Sequence, residues 1–443
     1  MVIVGGGVAG LSAAWRLREA GVPEVLLLEM GDRLGGTARS GAGAPWGAHY
    51  LPVPNPETTV TERFLSTIGL LVGYRPDGGG PIWDDRHLVF DPEDRLFYRG
   101  TWYDGLYLRV GATAADRDEL ARFEAETSLL RAARGADGRL AFAIPTALSS
   151  RDSAFTTLDT ITMAEWLAAR GFRGPRLLRH VEYACRDDYG AGISEVSAWA
   201  ALHYFAGRRS PSAPETRGSR YFTWPSGNAH LVDALARLGA PTRLEALVRA
   251  VDAAGRLLVE PLSGGPVEVI DAAAIILATP HHVSARLLAR RPFATHAPWL
   301  VANLRLKQRP ARHTGAWNNL LYDGHGLGYV DSSHQDVGSQ ERATPTYTYY
   351  DALPRRDRGW LLTADHASLA ARVLNDLRPA HPDLSGCLEQ LDVWRWGHGT
   401  LVPERGVQFG DAREAFCRPE GVVQLAHTDL SGLPFFEEAQ YRG

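Results

Sequence analysis

A glycine-rich turn near the start of the chain is the first feature with chemical meaning. Gly5, Gly7 and Gly10 have the spacing G-x-G-x-x-G, after the apolar run 2–4 and before a segment with helical spacing. The first glycine makes a tight turn, the second lets the backbone approach a pyrophosphate, and the third lets the helix pack closely on a strand. A helix N-terminus also offers free N–H groups and a partial positive charge to phosphates. The spacing therefore predicts a phosphate-binding turn.

An acidic residue follows at the position that a dinucleotide site requires. Glu29 ends a second apolar run, about 20 residues after the glycines. A carboxylate there can accept hydrogen bonds from both hydroxyl groups of a ribose. Strand, glycine turn, helix, strand and acid thus follow one another in the order of a complete dinucleotide-binding unit, and we expect a Rossmann-type domain.

Two more glycines and two arginines follow the acidic residue. Gly35 and Gly36 would let the chain pass close to a bound ligand, and Arg33 and Arg39 could reach its phosphates. The segment resembles the R-x-G-G segment of the FAD-dependent amine oxidase, phytoene desaturase and protoporphyrinogen oxidase superfamily. This resemblance implies that the cofactor is FAD.

The end of the chain resembles the second flavin motif of the same superfamily. A strand pattern ends in Thr428 and Asp429, and Glu437 opens a helical pattern. On this resemblance Asp429 would bind the ribityl or pyrophosphate part of FAD. The helix would direct N–H groups at the pyrimidine carbonyl and favour negative charge on reduced flavin. His427 and Glu438 stand where the superfamily has glycine, so we expect local contacts to differ there.

Further cofactor contacts are implied by the resemblance alone. The strand pattern around Val248 resembles the strand whose valine contacts the adenine through its backbone, and 274–280 resembles a buried strand that runs into a loop. Gly47 and Ala48 belong to a segment of small residues that would pass beside the flavin ring. Phe436 would lie beside the cofactor at the start of the last helix.

Two residues are candidates for catalysis. Asn303 takes the place of the lysine that, in amine oxidases, holds a water molecule against flavin N5, so we expect that device to be absent. His398 lies near the place of the cysteine that binds flavin covalently in monoamine oxidases, and Gly399 replaces a tyrosine of their aromatic cage. His398 could act as a base, as a flavin attachment point or as a donor to a backbone carbonyl, and the sequence leaves these alternatives open.

Substrate contacts are expected from a second group of residues. Asp187, Asp188 and Tyr189 are consecutive, and adjacent carboxylates can hold a cationic substrate or shift each other's pKa. The alternative is that these carboxylates cap helices and pair with arginine. Phe435 is a candidate for an aromatic wall of the substrate site, with core packing as the alternative.

The resemblance implies an oxidoreductase that transfers hydride from the C–N bond of an amine or polyamine to flavin N5. One alternative is a desaturase or porphyrinogen-type oxidase that acts on an apolar C–C substrate. Another is a flavoprotein whose FAD has a structural or binding role. The expected partners are a small-molecule substrate and oxygen or another electron acceptor, and a homodimer is an open alternative.

Composition excludes several other classes of protein. Hydrophobic residues make up 45% of the 443 residues and charged residues 22%, as in ordinary soluble globular proteins. No apolar run approaches the ~20 residues that cross a membrane, and a net charge of −4 disfavours a nucleic-acid partner. The three cysteines lack CxxC spacing, so we expect no disulfide framework, no zinc and no other metal. We expect a cytoplasmic protein, with export left open because both ends of the sequence look trimmed.

These observations predict an α/β fold with two domains. A Rossmann-type FAD-binding domain would be built from the discontinuous segments 1–75, 215–285 and 392–443. A substrate domain with a mixed sheet and helices, of the α+β type, would come from 76–214 and 286–391.

Overall fold

The computed structural model describes residues 1–76, 78–209, 221–335 and 344–443. The predicted domain boundary between residues 214 and 215 lies outside these ranges. None of the helices within them is both long and apolar enough to cross a membrane.

The strands belong to two main sheets and several small ones. In chain order they are β1 (Val2–Val4), β2 (Leu26–Leu28), β3 (Ser40–Gly41), β4 (Ala44–Pro45), β5 (Tyr50–Pro52), β6 (Leu71–Tyr74), β7 (Pro81–Trp83), β8 (Asp94–Tyr98), β9 (Thr101–Asp104), β10 (Tyr221–Thr223), β11 (Thr242–Arg243), β12 (Ala246–Val251), β13 (Arg256–Pro261), β14 (Glu268–Asp271), β15 (Ile275–Leu277), β16 (Thr295–Leu306), β17 (Asn318–Leu321), β18 (Gly328–Asp331), β19 (Thr346–Ala352), β20 (Leu388–Val402) and β21 (Val423–Leu425).

The helices lie between these strands along the chain. In order they are α1 (Val8–Glu19), α2 (Thr59–Thr67), α3 (Ala114–Ala132), α4 (Ser153–Thr156), α5 (Met163–Ala169), α6 (Pro175–Tyr189), α7 (Ala198–Ala206), α8 (Ala229–Leu238), α9 (His281–Leu287), α10 (Arg358–Thr363), α11 (His366–Leu377), α12 (Leu384–Cys387), α13 (Asp411–Phe416) and α14 (Phe436–Arg442).

The first main sheet is parallel and has the strand order β11-β2-β1-β15-β21. Its central strands are short apolar runs because neighbouring strands and helices bury both of their faces. Strand β1 lies between β2 and β15, with Val2 paired to Leu26 on one side and to Ile275 on the other. This arrangement confirms the predicted Rossmann-type sheet built from distant segments of the chain.

The second main sheet is mixed and has the order β20-β16-β19-β18-β17-β8-β9. Strand β16 pairs with both β19 and β20 and is buried over nearly its whole length. Strands β17 and β8 are parallel, which brings Asn318 beside Asp94. The α/β fold class with a second, mixed-sheet part is therefore confirmed. The predicted domain boundary at 391/392 lies inside β20, and the strand pairing places the change of sheet after Val402.

The predicted adenine-side strand is divided between two sheets. Residues Thr242 and Arg243 extend the parallel sheet as β11, whereas β12 pairs with β13 in a separate antiparallel sheet. Glu245 lies between them with a φ of 52° and turns the chain. Val248 is therefore in the antiparallel sheet, where it pairs with Val259.

Helix α6 positions the predicted substrate carboxylates. It begins with a proline, whose fixed φ suits the first helical position. It ends at Gly190, which adopts a left-handed conformation with a φ of 70°. Asp187 and Asp188 therefore lie in the last turn of α6.

Helix α1 crosses strand β1 at very short range. A Cβ atom on Gly10 would lie 1.9 Å from the carbonyl oxygen of Gly5, and a Cβ on Gly5 would lie 2.7 Å from that of Ala278. Both distances are shorter than van der Waals contact, so the glycines are needed for the helix, β1 and β15 to meet. The third glycine of the motif thus has the predicted packing role.

We expect Gly10→Ala to lower the free energy of unfolding by about 1–3 kcal/mol, because backbone atoms must move to admit the methyl group. Chemical unfolding followed by circular dichroism would measure the loss. Gly73→Ala is the matched control, since no heavy atom lies within 4 Å of the added Cβ. Equal stability of the two variants would contradict this account of the crossing.

Candidate functional site

Glu29 is held in place by two backbone N–H groups. Gly6 donates to one carboxylate oxygen of Glu29 and Gly31 donates to the other, each at 2.7 Å. The side chain is only half-buried, and each oxygen keeps a lone pair for a further donor. Glu29 is thus oriented to accept hydrogen bonds from a ligand at the end of β2.

The turn before α1 has open space at its second glycine. A Cβ on Gly7 would meet only the Cα of Gly36, at 4.0 Å, and no other heavy atom within that distance. Gly36, with a φ of 57°, and Gly35, with a φ of 115°, adopt conformations that favour glycine. The space beside Gly7 and the N-terminus of α1 can therefore take a phosphate group.

The two arginines of the following segment contact tryptophan rings. Arg39 donates to the carbonyl of Gly36 at 2.9 Å and lies 5.5 Å from the ring centre of Trp396. Arg33 lies 4.6 Å from the ring centre of Trp46, and that ring stacks on Trp394 at 3.6 Å. Both guanidinium groups thus connect the turn around Gly35 to β20.

The small residues predicted beside the flavin ring are tightly packed. A Cβ on Gly47 would lie 2.2 Å from the carbonyl oxygen of Thr37, and the N–H of Ala48 donates to that same oxygen at 3.0 Å. The Tyr350 hydroxyl donates to the carbonyl of Gly47 at 2.9 Å. This segment therefore touches the mixed sheet directly.

Asp429 lies in a ring of histidines. One of its carboxylate oxygens accepts hydrogen bonds from the backbone N–H of His281 at 2.9 Å, from Nδ1 of His281 at 3.0 Å and from Nε2 of His296 at 3.1 Å. Burial raises the pKa of Asp429, but the charges of His427 and His296 and the hydrogen bonds together lower the pKa well below its usual range. The carboxylate is ionised and engaged by the chain itself. Neither His281 nor His296 was identified as part of a site from the sequence.

The start of the last helix is also engaged internally. Glu438 is fully buried and accepts a hydrogen bond from the N–H of Thr146 at 2.6 Å, and burial raises its pKa to about 7. Glu437 forms an ion pair with Arg208. The hydroxyl of Thr428 donates to the carbonyls of Leu433 and Phe435 and closes the preceding turn.

Phe435 and Phe436 face different parts of the molecule. Phe435 stacks on His203, with ring centres 5.8 Å apart, and Arg208 lies over its other side. Phe436 packs against Phe64 at 6.3 Å, in the core around the parallel sheet. Core packing therefore accounts for Phe436.

A cleft that is partly open to solvent lies beside the 46–50 segment. Helices α6 and α7 and strands β8, β17, β18 and β19 form its other walls. The lining residues are His49, Tyr50, Asp94, Leu106, Tyr183, Asp187, Tyr204, Tyr221, Trp317, Asn318, Leu327, Gly328, Tyr329, Val330 and Tyr350.

Aromatic rings make up most of this wall. His49 lies 4.6 Å from Tyr350, and Tyr50 meets Tyr221 edge-on at 5.2 Å. Trp317 stacks on Tyr221 at 5.9 Å. Burial lowers the pKa of His49 to about 3, so this ring is neutral. The rings of His49, Tyr50, Tyr221, Trp317 and Tyr350 together form an aromatic cage.

Two carboxylates face into the cage. Asn318 donates to Asp94 at 2.8 Å, and burial raises the pKa of Asp94 to about 6. Burial, followed by the negative charges of Asp188 and Asp94, raises the pKa of Asp187 well above its usual range. The carboxylate of Asp187 forms no hydrogen bond or ion pair with any side chain or backbone group that the structure describes. No arginine or lysine is among the described residues that line the cleft. The cage is therefore an acidic pocket to which the described part of the chain supplies no lining cation.

The neighbours of Asp187 on α6 have other surroundings. Asp188 accepts a hydrogen bond from Tyr50, and burial raises its pKa to about 7 against the opposing charge of Arg208. The Tyr189 hydroxyl donates to the carbonyl of Ala200 at 2.7 Å within the core. Tyr189 is fully buried and does not line the cleft.

The two catalytic candidates lie apart from the cleft lining. Asn303 is buried in β16 between Thr348 and Asp392 of the neighbouring strands. His398 is exposed and stacks on His282, with ring centres 4.6 Å apart. Their catalytic roles stay predictions. Asp94 was missed because no local motif marks it: only the pairing of β8 with β17 brings it to the cleft.

Comparisons with known proteins agree with this architecture. A family model described as an NAD(P)-binding Rossmann-like domain matches residues 3–67. No curated protein sequence matches the chain significantly. Among solved structures, a putrescine oxidase bound to putrescine is similar, with a TM-score of 0.68 and 16% identity over 100% of this chain and 96% of that one.

Two further solved structures share the fold. Cyclohexylamine oxidase from Brevibacterium oxydans has a TM-score of 0.66 and 18% identity, over 100% of this chain and 96% of that one. A fatty acid isomerase from P. acnes that produces CLA has a TM-score of 0.65 and 16% identity, over 99% and 96% of the two chains. The chain thus contains an N-terminal segment that matches an NAD(P)-binding Rossmann-like domain and shares, over nearly its full length, the fold of these two oxidases and the isomerase.

Proposed function

We propose that the chain is an FAD-dependent oxidoreductase that oxidises the C–N bond of an amine. The observation that carries this proposal is the aromatic cage that surrounds Asp187 and Asp94, with no arginine or lysine among the described residues that line it. The fold is shared with putrescine oxidase and cyclohexylamine oxidase, which supports the same activity.

The nucleotide end of the proposed FAD site fits the residues present. Glu29 would accept the ribose hydroxyl groups, and the open space at Gly7, with the N-terminus of α1, would take the pyrophosphate. The side chains of Arg33 and Arg39 now contact the rings of Trp46 and Trp396. By rotating away from these rings, both guanidinium groups could reach phosphate oxygens. The FAD would supply the acceptor for the hydride.

The flavin end departs from the superfamily's pattern at two carboxylates. Asp429 is already bonded to His281 and His296, and Glu438 to Thr146. The residues that fit this end best are therefore Gly47 and the other small residues of its segment, which separate the cleft from the glycine turn.

A protonated amine would satisfy the cage electrostatically. A cation over the face of an aromatic ring gains about 0.5–2 kcal/mol, more when water is excluded. A buried, unpaired carboxylate is costly unless an opposite charge joins it. Without a cation, Asp94 and Asp187 repel one another and favour bound protons. The positive charge of a bound ammonium group would stabilise the ionised forms of Asp94 and Asp187. These two carboxylates would therefore recognise the charge of the substrate.

An apolar C–C substrate fits this cage less well. Removing water from Asp94 and Asp187 without supplying a cation would cost free energy. The fatty acid isomerase shows that the fold can also act on apolar chains, so the alternative needs a direct test. An anaerobic titration of the purified protein near 450 nm, the oxidised-flavin band, would compare amines, polyamines and apolar polyenes as donors. Bleaching by amines supports the proposal, and bleaching only by polyenes overturns it.

Protein that stays oxidised with every donor, although dithionite reduces it, would instead favour a structural or binding role for FAD. Protein that cannot be loaded with FAD would contradict the cofactor assignment itself.

We expect Asp187→Asn to weaken amine binding by about 30-fold or more, equivalent to ~2 kcal/mol, because the cation loses its unpaired carboxylate. Flavin content should not change. Anaerobic titration of flavin bleaching against amine concentration would measure the effect. Asp233→Asn is the matched control, because Asp233 is exposed on α8, away from the cleft. The same affinity in both variants would show that Asp187 does not hold the cation.

We expect the affinity for a permanently charged probe, tetramethylammonium, to rise as pH increases from 5 to 7. The physical reason is that Asp94, with a pKa raised to about 6, must lose its proton to hold a cation. Below that pKa, the gain for one titrating group is at most about tenfold per pH unit. Isothermal titration calorimetry would measure the profile. Asp94→Asn should flatten it, and an unchanged profile in this variant would assign the titration to another group.

A further inference from the structure

The histidines around Asp429 form a compact set of possible ligand atoms. His281 Nδ1 lies 3.0 Å, His296 Nε2 3.1 Å and His427 Nδ1 3.3 Å from the same carboxylate oxygen of Asp429. Asp429, His281 and His296 are all buried, with exposed fractions of 2%, 0% and 4%. They come from three distant segments, at the ends of β15 and β21 and at the start of β16.

The nitrogen–oxygen distances are close to those of a small metal centre, and the two imidazoles would have to approach one another to complete it. The ligand atoms of His281, His296 and Asp429 lie within 4.8 Å of one another. With metal–ligand bonds of about 2.0–2.1 Å, neighbouring ligand atoms of a tetrahedral site are ~3.3 Å apart. The nitrogen–oxygen separations are therefore within a few tenths of an ångström of the values that such a site needs.

The second nitrogen of His281 supports the same interpretation. Nε2 lies 3.0 Å from the carbonyl oxygen of Ala294, whereas the N–H of Ala294 is farther away, at 3.4 Å. A proton on Nε2 that is donated to this carbonyl leaves a lone pair on Nδ1, directed at the Asp429 carboxylate. A histidine that binds a metal commonly donates its other N–H to a backbone carbonyl in this way. Without an ion, a proton on Nδ1 makes the hydrogen bond to Asp429, and a bound ion would take the place of that proton.

Further imidazoles connect the buried set with solvent. His398 is exposed and stacks on His282 at 4.6 Å, and His282 meets His296 edge-on at 4.7 Å. Imidazole nitrogen is a good ligand for Zn²⁺, Cu²⁺ and Fe²⁺, whereas Ca²⁺ and Mg²⁺ prefer oxygen ligands. The two outer histidines thus provide an entry route for a transition-metal ion.

We propose that His281, His296 and Asp429 bind a divalent transition-metal ion of the zinc class. His427 is not part of this ligand set, because its Nδ1 accepts the backbone N–H of Asp429 at 3.1 Å. The ion would join the carboxyl ends of β15 and β21 to the start of β16, and so link the parallel sheet to the mixed sheet. Its role would be structural. The expectation of no metal considered only the cysteines and their spacing, whereas this ligand set contains none.

This inference does not depend on the proposed amine oxidation. It does give Asp429 a different role from the predicted contact with FAD, since the metal would occupy the carboxylate oxygen that His281 and His296 already contact. Binding of a metal to the native state alone stabilises that state in proportion to the logarithm of the metal concentration. Metal binding and thermal stability are therefore linked readouts that need no enzyme activity.

The test is a titration of the purified full-length chain with Zn²⁺ after dialysis against EDTA. Isothermal titration calorimetry should show one Zn²⁺ per chain, and thermal unfolding should move to higher temperature as Zn²⁺ is added. His296→Gln should weaken Zn²⁺ binding by about 100-fold or more, since loss of a supporting residue outside the ligand set already costs 10–100-fold. The Gln side chain can still donate to Asp429, which favours folding of this variant.

The matched control is His282→Gln, which removes a neighbouring imidazole that does not contact Asp429. It should retain Zn²⁺ binding. If circular dichroism shows that His296→Gln does not fold, His281→Gln takes its place, with an expected loss of affinity. Absence of stoichiometric Zn²⁺ binding to the unmodified chain, or equal affinity in the His296→Gln and His282→Gln variants, would overturn the proposal. Zn²⁺ binding by a chain that no amine reduces would keep this proposal and contradict only the amine oxidation.

Discussion

No side chain fits between α1 and β1 where they cross, and this steric constraint positions the carboxyl edge of the parallel sheet. Gly10 meets Gly5, and Gly5 meets Ala278 of the neighbouring strand, at distances that exclude a Cβ atom. Ligands of open α/β sheets bind at this edge. Glu29 and Asp429 follow β2 and β21 at this edge, so the positions of both depend on how closely the glycines allow the strands and the helix to approach.

Buried carboxylates give this edge and the cleft different properties. At Asp429 the chain supplies N–H groups and imidazoles, which stabilise the ionised carboxylate and lower its pKa. At Asp94 and Asp187 the chain supplies aromatic rings and one amide, and the pKa values rise. The physics of desolvation is the same in both places. The difference in partners distinguishes a carboxylate that is part of the internal structure from a pair that needs a cation from outside.

The two departures from the glycine pattern have structural explanations. His427 replaces a glycine beside Asp429 and contributes an imidazole to the group around that carboxylate. Glu438 replaces another glycine, and its buried side chain bonds to Thr146, which ties the last helix to the segment before α4. Both side chains occupy space that glycine would leave open for a ligand. These two positions therefore differ more from the superfamily's pattern than the glycine turn and Glu29 do.

The sequence by itself determined the features that depend on neighbours in the chain. The glycine spacing, the apolar runs of β1 and β2 and the position of Glu29 specify the Rossmann-like unit, because a turn, a helix start and a buried strand are local choices. Tertiary structure alone decided the cleft and the histidine cluster. Asp94 reaches Asn318 only through the pairing of β8 with β17, and Asp187 enters the same cage from α6. His281 and His296 meet Asp429 across more than 130 residues. No local pattern marks such contacts, because burial and sheet pairing, not spacing along the chain, bring these charges together.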